Sequence, residues 1–264
     1  MTPENSPVRL DIADGIARIR FNRPHVLNAL DEASVLALAA AVDKVSRDET
    51  VRAVVLSGEG RAFLAGGDVA RFHAAGPDAP KVVSAIIDPF HHAILALAAM
   101  PAPVIASLHG AVAGAGVSVA LAADLAIAAD DMKMTLAYTR IGTSPDGSST
   151  FSLPRVVGLR KAMEIALLSD TVEADEALRL GLVNKVVPAA ELAAETDKLA
   201  KRLAEGPTLA YGRIKHLLRS SFGHSLSEQL NAERDAFIAS ARTEDFAAGA
   251  KAFVQKTPPR FEGK

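Results

Sequence analysis

Cysteine is absent from the sequence. That excludes disulfides, thiol nucleophiles and cysteine-ligated metal sites, and it fits a chain expected in the reducing cytoplasm. Tryptophan is absent too, and aromatic residues make up only 5%, so the shape of any pocket is not legible from aromatic positions. Neither sign of charge dominates: 29 Lys and Arg stand against 31 Asp and Glu, a formal net charge of −2. With a pI near 6.4, there is none of the concentrated basic character of a nucleic-acid-binding face. The longest apolar runs are interrupted by Pro, Gly, His or Asp, so none reads as a membrane span. The segment "MTPENSPVRLDIADG" has no basic n-region and no apolar h-region, and no secretory signal is expected. There is no G-x-G-x-x-G and no P-loop, and no H-x-x-x-H or H-E-x-x-H from which to propose a metal site.

What is present is ordinary for a soluble domain. Hydrophobic residues make up 49% and charged residues 23% of 264 positions. That length supports one large domain, or a domain with a small appendage. "VRLDIADGIARIRFN" alternates on both sides of Asp14-Gly15 and predicts a hairpin with a two-residue turn. Asp31 caps the next helix, with Val35, Leu38, Val42 and Val45 as its apolar stripe. Buried strands are expected in "VRAVVLSGEG", "PVIASLHG" and "DLAIAAD". A helix is expected over "KVVSAIIDPFHHAILALAAM", disturbed at Pro89 and closed by Pro101 and Pro103. Strand and helix alternate, which predicts an α/β layer architecture with right-handed crossovers and ligands at strand C-termini. Beyond Gly142 the pattern is mainly helical around a short strand, "NKVVP". From Pro207 onward it is all helix. A boundary is expected there, giving units 1–206 and 207–264.

Three stretches carry candidate chemistry. "RAFLAGGDVARF" runs from a strand into Ala65-Gly66-Gly67, with Asp68 at a helix start. Glycines there let backbone N–H groups approach a ligand, although a turn with an N-cap aspartate explains the same letters. "GAGVSVALAAD", residues 114–124, opens an alanine-rich helix with free N–H groups and has Ser118 inside it. Its match to the nucleophile elbow G-x-S-x-G is partial, and Ser118 reads better as a small packing residue. "YTRIGTSPDGSS" contains a turn at Ser144-Pro145-Asp146-Gly147. Asp146 is either a turn or cap aspartate or a general base presented from a loop, and spacing alone does not choose. Tyr138 is a lesser candidate for lining the site. His91 and His92 sit on a helix, and His109 ends a strand beside the second glycine loop.

Taken in order, "FNRPHVLNAL", "FLAGGDVARF", "PVIASLHGAVAGAGVSVALAADLAIAA", "LPRVVGLRKAMEIALLSD", "ADEALRLGLVNKVVP" and "FVQKTPPRFEGK" resemble the crotonase superfamily of enoyl-CoA hydratase/isomerase proteins. The resemblance spans about residues 8–263. It implies a ClpP-like ββα spiral and a C-terminal helical segment that forms homotrimers, often paired as hexamers. It implies an acyl-CoA thioester as substrate, coenzyme A being part of that substrate, with no separate cofactor. It implies an oxyanion hole made by the N–H groups of Gly67 and Ala115. It places CoA along Arg23, Val26 and Leu27 and along Ala65, Gly66, Gly67, Asp68 and Val69, with Lys256 reaching the CoA phosphate of a neighbouring subunit. Residues 73–92 are expected to border the acyl pocket.

The family's hydratases use two glutamates on the added water. Here the corresponding places hold Ser118 and Tyr138. In the Δ3,Δ2-enoyl-CoA isomerases of the family the base sits in a loop that aligns with Pro145-Asp146-Gly147. The sequence is more similar still to the 1,2-epoxyphenylacetyl-CoA isomerase group. The resemblance therefore implies an isomerase with Asp146 as its only acid–base group. A hydratase is the alternative. An acyl-CoA thioester hydrolase using Ser118 and a non-catalytic acyl-CoA binder rank lower.

Overall fold

The alternation around Asp14-Gly15 folds as read. In the computed structural model, which describes residues 5–264, β1 (Val8–Ala13) and β2 (Ile16–Phe21) pair antiparallel with Ala13 opposite Ile16. Asp14 and Gly15 both take positive φ, 53° and 73°, as a type I′ turn requires. Residues 1–4 of the expected first unit lie outside the described residues.

Helix α1 (Glu32–Ser46) starts at Asp31, whose side chain accepts from the Ser34 N–H. The predicted stripe, Val35, Leu38, Val42 and Val45, is buried. Then follow β3 (Ala53–Gly58), β4 (Ala62–Leu64), α2 (Val69–Ala75) and α3 (Ala79–Ala99). Helix α3 runs continuously through Pro89. A proline inside a helix removes one backbone hydrogen bond, and the buried face of Ile86, Phe90, Ala93, Ile94 and Leu97 supplies packing that offsets the loss. Next come β5 (Val104–Leu108), β6 (Ala111–Ala113), α4 (Ala115–Ala122), β7 (Leu125–Ala129) and β8 (Lys133–Thr135). A 3₁₀ turn, Ala137–Ile141, leads to α5 (Ser149–Val157) and α6 (Leu159–Leu168). The core closes with β9 (Val172–Glu173), α7 (Ala174–Arg179), β10 (Lys185–Val187) and α8 (Leu192–Ala204).

The strands divide between two sheets. One has the order β1-β2-β3-β5-β7-β10, the other β4-β6-β8-β9. From β2 onward the first sheet is parallel, and β5 is buried at every residue, as parallel strands covered on both faces must be. Successive pairs β3–β4, β5–β6 and β7–β8 place one strand in each sheet before the chain enters helix. Each repeat is therefore a ββα turn of a spiral. Phe21 and Phe63 meet edge-on between the sheets, centroids 5.6 Å apart.

The last three helices are α9 (Thr208–Ser220), α10 (Leu226–Ala241) and α11 (Glu244–Gln255). Among the described residues, only α9 of these three is tied to the spiral by ion pairs. Lys215 Nζ reaches the carbonyls of Met100 and Ala102 at 2.9 Å each and Asp124 at 2.7 Å. Arg219 reaches the carbonyls of Ala98 and Ala122 and the same aspartate. Burial lowers the Lys215 pKa against the opposing pull of Asp124. Replacing Lys215 by Met is expected to cost about 3 kcal/mol, because it leaves a largely buried carboxylate with one partner fewer. Urea denaturation checks this, and a midpoint equal to the parent's contradicts it.

Candidate active site

Two parallel neighbours, β4 and β6, end in glycine loops that lie against each other. Gly66 has φ +98° and Gly114 has φ +50°; a Cβ on Gly66 would lie 3.3 Å from the Ala113 carbonyl, and one on Gly114 3.5 Å from the Gly66 Cα. The positive φ at both positions favours glycine, and at Gly66 the close Ala113 carbonyl adds to that preference. A third glycine sets the helix: a Cβ on Gly116 would stand 2.1 Å from the Leu64 carbonyl, so α4 rests directly on the end of β4.

The first loop is held from the N-terminal side. Leu30 N–H donates to Gly66 O at 2.8 Å, Asp68 N–H to Leu30 O at 2.9 Å, and Ala65 N–H to Leu27 O at 3.0 Å. These bonds use the N–H groups of Ala65 and Asp68, and that of Gly67 has no protein acceptor among the described residues. Ala115 is the first residue of α4, where an N–H has no intrahelical partner. None is found elsewhere among the described residues either. Two unpaired donors thus sit on adjoining loops, one of them at a helix N-terminus where the helix dipole favours negative charge.

Both donors open on a cavity of about 590 Å³. Its wall is largely apolar, with Leu30, Val69, Phe72, Val83, Ile86 and Phe90 among its residues. Several of these fall within residues 73–92, the segment expected to border an acyl pocket. Among the described residues, Asp146 is the only carboxylate lining it.

Asp146 is held by four residues. Its carboxylate accepts a short hydrogen bond from the Tyr138 hydroxyl. Its backbone carbonyl accepts from Ser118 Oγ at 2.8 Å and Ser149 Oγ at 2.9 Å. The following N–H, that of Gly147, donates to His91 Nε2 at 3.2 Å. Gly147 itself is pressed between Phe90 and Ser118: a Cβ there would come within 2.3 Å of the Phe90 ring. Burial, then the Asp146 charge and its hydrogen bond, push the Tyr138 hydroxyl well above the ordinary phenol range. Tyr138 therefore stays protonated and acts as a donor to the carboxylate.

The structure gathers Ala65, Gly66, Gly67, Val69, Ala115, Tyr138 and Asp146 around one cavity. It gives other residues different work. Arg23, read as a phosphate contact, is engaged with Asp31 at 3.0 Å and Asp68 at 3.3 Å. A guanidinium facing two carboxylates has little positive field left for a phosphate, so its role here is to brace the loop. Asp68 caps α2 by accepting from the Arg71 N–H. Leu27 acts through its backbone, and Val26 closes the 3₁₀ turn Pro24–Val26. Ser118 is fully buried, and its hydroxyl is directed to the Asp146 carbonyl. It supports the loop from beneath and is not a pocket residue or an exposed nucleophile. Lys256 lies exposed at the end of α11, away from the residues around this chain's cavity. His109 contacts the Gly60 carbonyl at 3.0 Å. Ser149 and His91 have no role legible in the sequence, since each acts on backbone.

A ββα spiral with paired glycine loops over an apolar cavity is the crotonase class of fold. Residues 11–264 match the family model described as enoyl-CoA hydratase/isomerase, and the chain belongs to that family. A probable enoyl-CoA hydratase of Rhodobacter capsulatus is 38% identical, with 97% of this chain and 98% of that protein covered. The 1,2-epoxyphenylacetyl-CoA isomerase of Escherichia coli is 36% identical, covering 96% and 97%. The crystal structure of an enoyl-CoA hydratase from Polaromonas sp. JS666 superposes with a TM-score of 0.91 at 32% identity, over 96% of this chain and 99% of that one.

Proposed function

We propose that the protein is an enoyl-CoA isomerase that moves a double bond from Δ3 to Δ2 through a thioester enolate. The observation that carries this reading is that Asp146 is the only carboxylate among the described residues lining the cavity. Hydration calls for one group to deprotonate water and a source for the proton delivered at Cα. Isomerisation moves one proton between two carbons, and one carboxylate suffices. The similarity to the E. coli isomerase favours the same reading, whereas the R. capsulatus relative carries the hydratase name.

In this mechanism the thioester oxygen sits between the N–H groups of Gly67 and Ala115. Asp146 removes the proton at C2, and the C–H electron pair flows into a dienolate whose charge rests on that oxygen. Preorganised donors aimed at such a charge are among the largest catalytic effects available to a protein. The carboxylic acid then returns its proton to C4. The double bond is left between C2 and C3, conjugated with the thioester, and Asp146 is a carboxylate again. Tyr138 fixes one carboxylate oxygen so that the other faces the substrate. Ala65, Gly66 and Val69 border the CoA path, and Lys256 serves a neighbouring subunit's CoA. Exposed apolar side chains on the C-terminal helices, Leu226, Phe237 and Phe253 among them, support the trimeric assembly this requires.

The test uses a 3-enoyl-CoA carrying deuterium at C2. The expected product is the 2-enoyl-CoA with part of the removed label at C4, since one carboxyl carries it. A product that has gained water refutes the proposal. Tyr138→Phe is expected to lower kcat about 10–100-fold with KM little changed, the effect of removing a hydrogen bond to a charged group worth about 1.5–3 kcal/mol. Steady-state kinetics checks it, and an unchanged kcat removes Tyr138 from the mechanism.

A further inference from the structure

The peptide unit joining Asp146 to Gly147 is restrained from both sides. Its carbonyl accepts from Ser118 Oγ at 2.8 Å, Ser149 Oγ at 2.9 Å and Ser149 N–H at 3.3 Å. Its N–H donates to His91 Nε2 at 3.2 Å, its one acceptor among the described residues. Because a peptide is planar, fixing its C=O and its N–H fixes the whole plane, and with it the direction in which the Asp146 Cα presents its side chain. The restraint matters at this position. Gly147 sits at φ +59°, and glycine crosses between positive and negative φ with little steric cost. The plane is therefore easier to rotate here than at any ordinary residue.

His91 comes from α3, the helix whose buried Phe90 packs against Gly147. To accept from an N–H, Nε2 must carry no proton, which leaves the ring proton of the neutral imidazole on Nδ1. Phe90 thus supplies the surface on which the loop rests, and His91 supplies its lateral hydrogen bond.

We infer that His91 is a positioning residue for the reaction, holding the Asp146–Gly147 peptide plane so that the Asp146 carboxylate meets the substrate's α-carbon. The inference rests on the role given to Asp146 above. His91 is not among the residues lining the cavity, and its hydrogen bond to the loop is to backbone.

Three variants test this in steady-state turnover of a 3-enoyl-CoA: His91→Leu, His91→Gln and Asp146→Ala. The leucine variant lacks an acceptor. Its kcat is expected to fall about 10–100-fold with KM nearly unchanged, since misplacing a catalytic group by about 1 Å costs up to 100-fold. The glutamine variant offers a carbonyl oxygen near the position of Nε2 and is expected to recover most of the lost kcat. In the Asp146→Ala background, adding His91→Leu is expected to change nothing further, because the two residues act as one unit. A general loss of stability would lower both backgrounds alike and would not be rescued by glutamine. If Asp146→Ala abolishes turnover while His91→Leu matches the parent, the inference about His91 fails and the proposed function stands. If Asp146→Ala retains full turnover, the proposed function fails and the role of His91 fails with it.

Discussion

Replacing Asp146 by alanine is expected to remove proton transfer, lowering kcat by about 10²–10⁴-fold, the usual contribution of a general acid–base group. Acyl-CoA binding is expected to stay within a few-fold of the parent. The reason lies in how the loop is anchored. Ser118 and Ser149 bond to the Asp146 carbonyl, and His91 to the Gly147 N–H. All three contacts are to backbone and survive truncation of the side chain. The variant should therefore keep its loop, its cavity and its oxyanion donors, and lose only the carboxylate. Asp146→Asn is the companion: it has nearly the same shape but is not a carboxylate base. It should be as inactive as the alanine variant. Titration calorimetry with a saturated acyl-CoA, run beside the kinetics, separates binding from chemistry. Equal turnover in parent and variant would eliminate Asp146.

The second large effect concerns a donor that no ordinary side-chain change can reach. Ala115 Cβ is irrelevant to the proposed oxyanion hole; its N–H is the active group. Proline at this position deletes the N–H, and the first position of a helix is the one where proline is best tolerated. Ala115→Pro is therefore expected to fold and to lose about 10²–10³-fold in kcat, as loss of one oxyanion-hole donor does in other enzymes. Ala115→Gly keeps the donor and should stay close to the parent. Thermal melting of both variants controls for the fold. A proline variant that is folded and fully active would show that the thioester oxygen is stabilised elsewhere.

The long elements were legible because their signals are periodic. Val35, Leu38, Val42 and Val45 announce α1, and the unbroken apolar runs announce β3, β5 and β7. Strand β6 has only three residues, Ala111–Ala113, between Gly110 and Gly114. That is too short for alternation to show, and with it went the sequence-level view of a ββα repeat. The resemblance to a known family supplied it instead. The glycine loops and Asp146 were visible as motifs. The side chains that orient Asp146 were not, because Ser149, His91 and Ser118 each bond to backbone, and backbone partners leave no spacing rule in a sequence. Arg23 shows the converse: a lone arginine beside a loop suggests a phosphate until its two carboxylate partners, 8 and 45 residues away, are seen in space.

The central claim is one proton moved by one carboxylate, with no water added. The most direct measurement gives the purified protein a 3-enoyl-CoA and, separately, a 2-enoyl-CoA, and follows the absorbance of the conjugated thioester. The account predicts a rise with the first substrate and little change with the second. A steady fall with the second, as water adds across the conjugated double bond, would contradict it and would require a water-activating group other than Asp146.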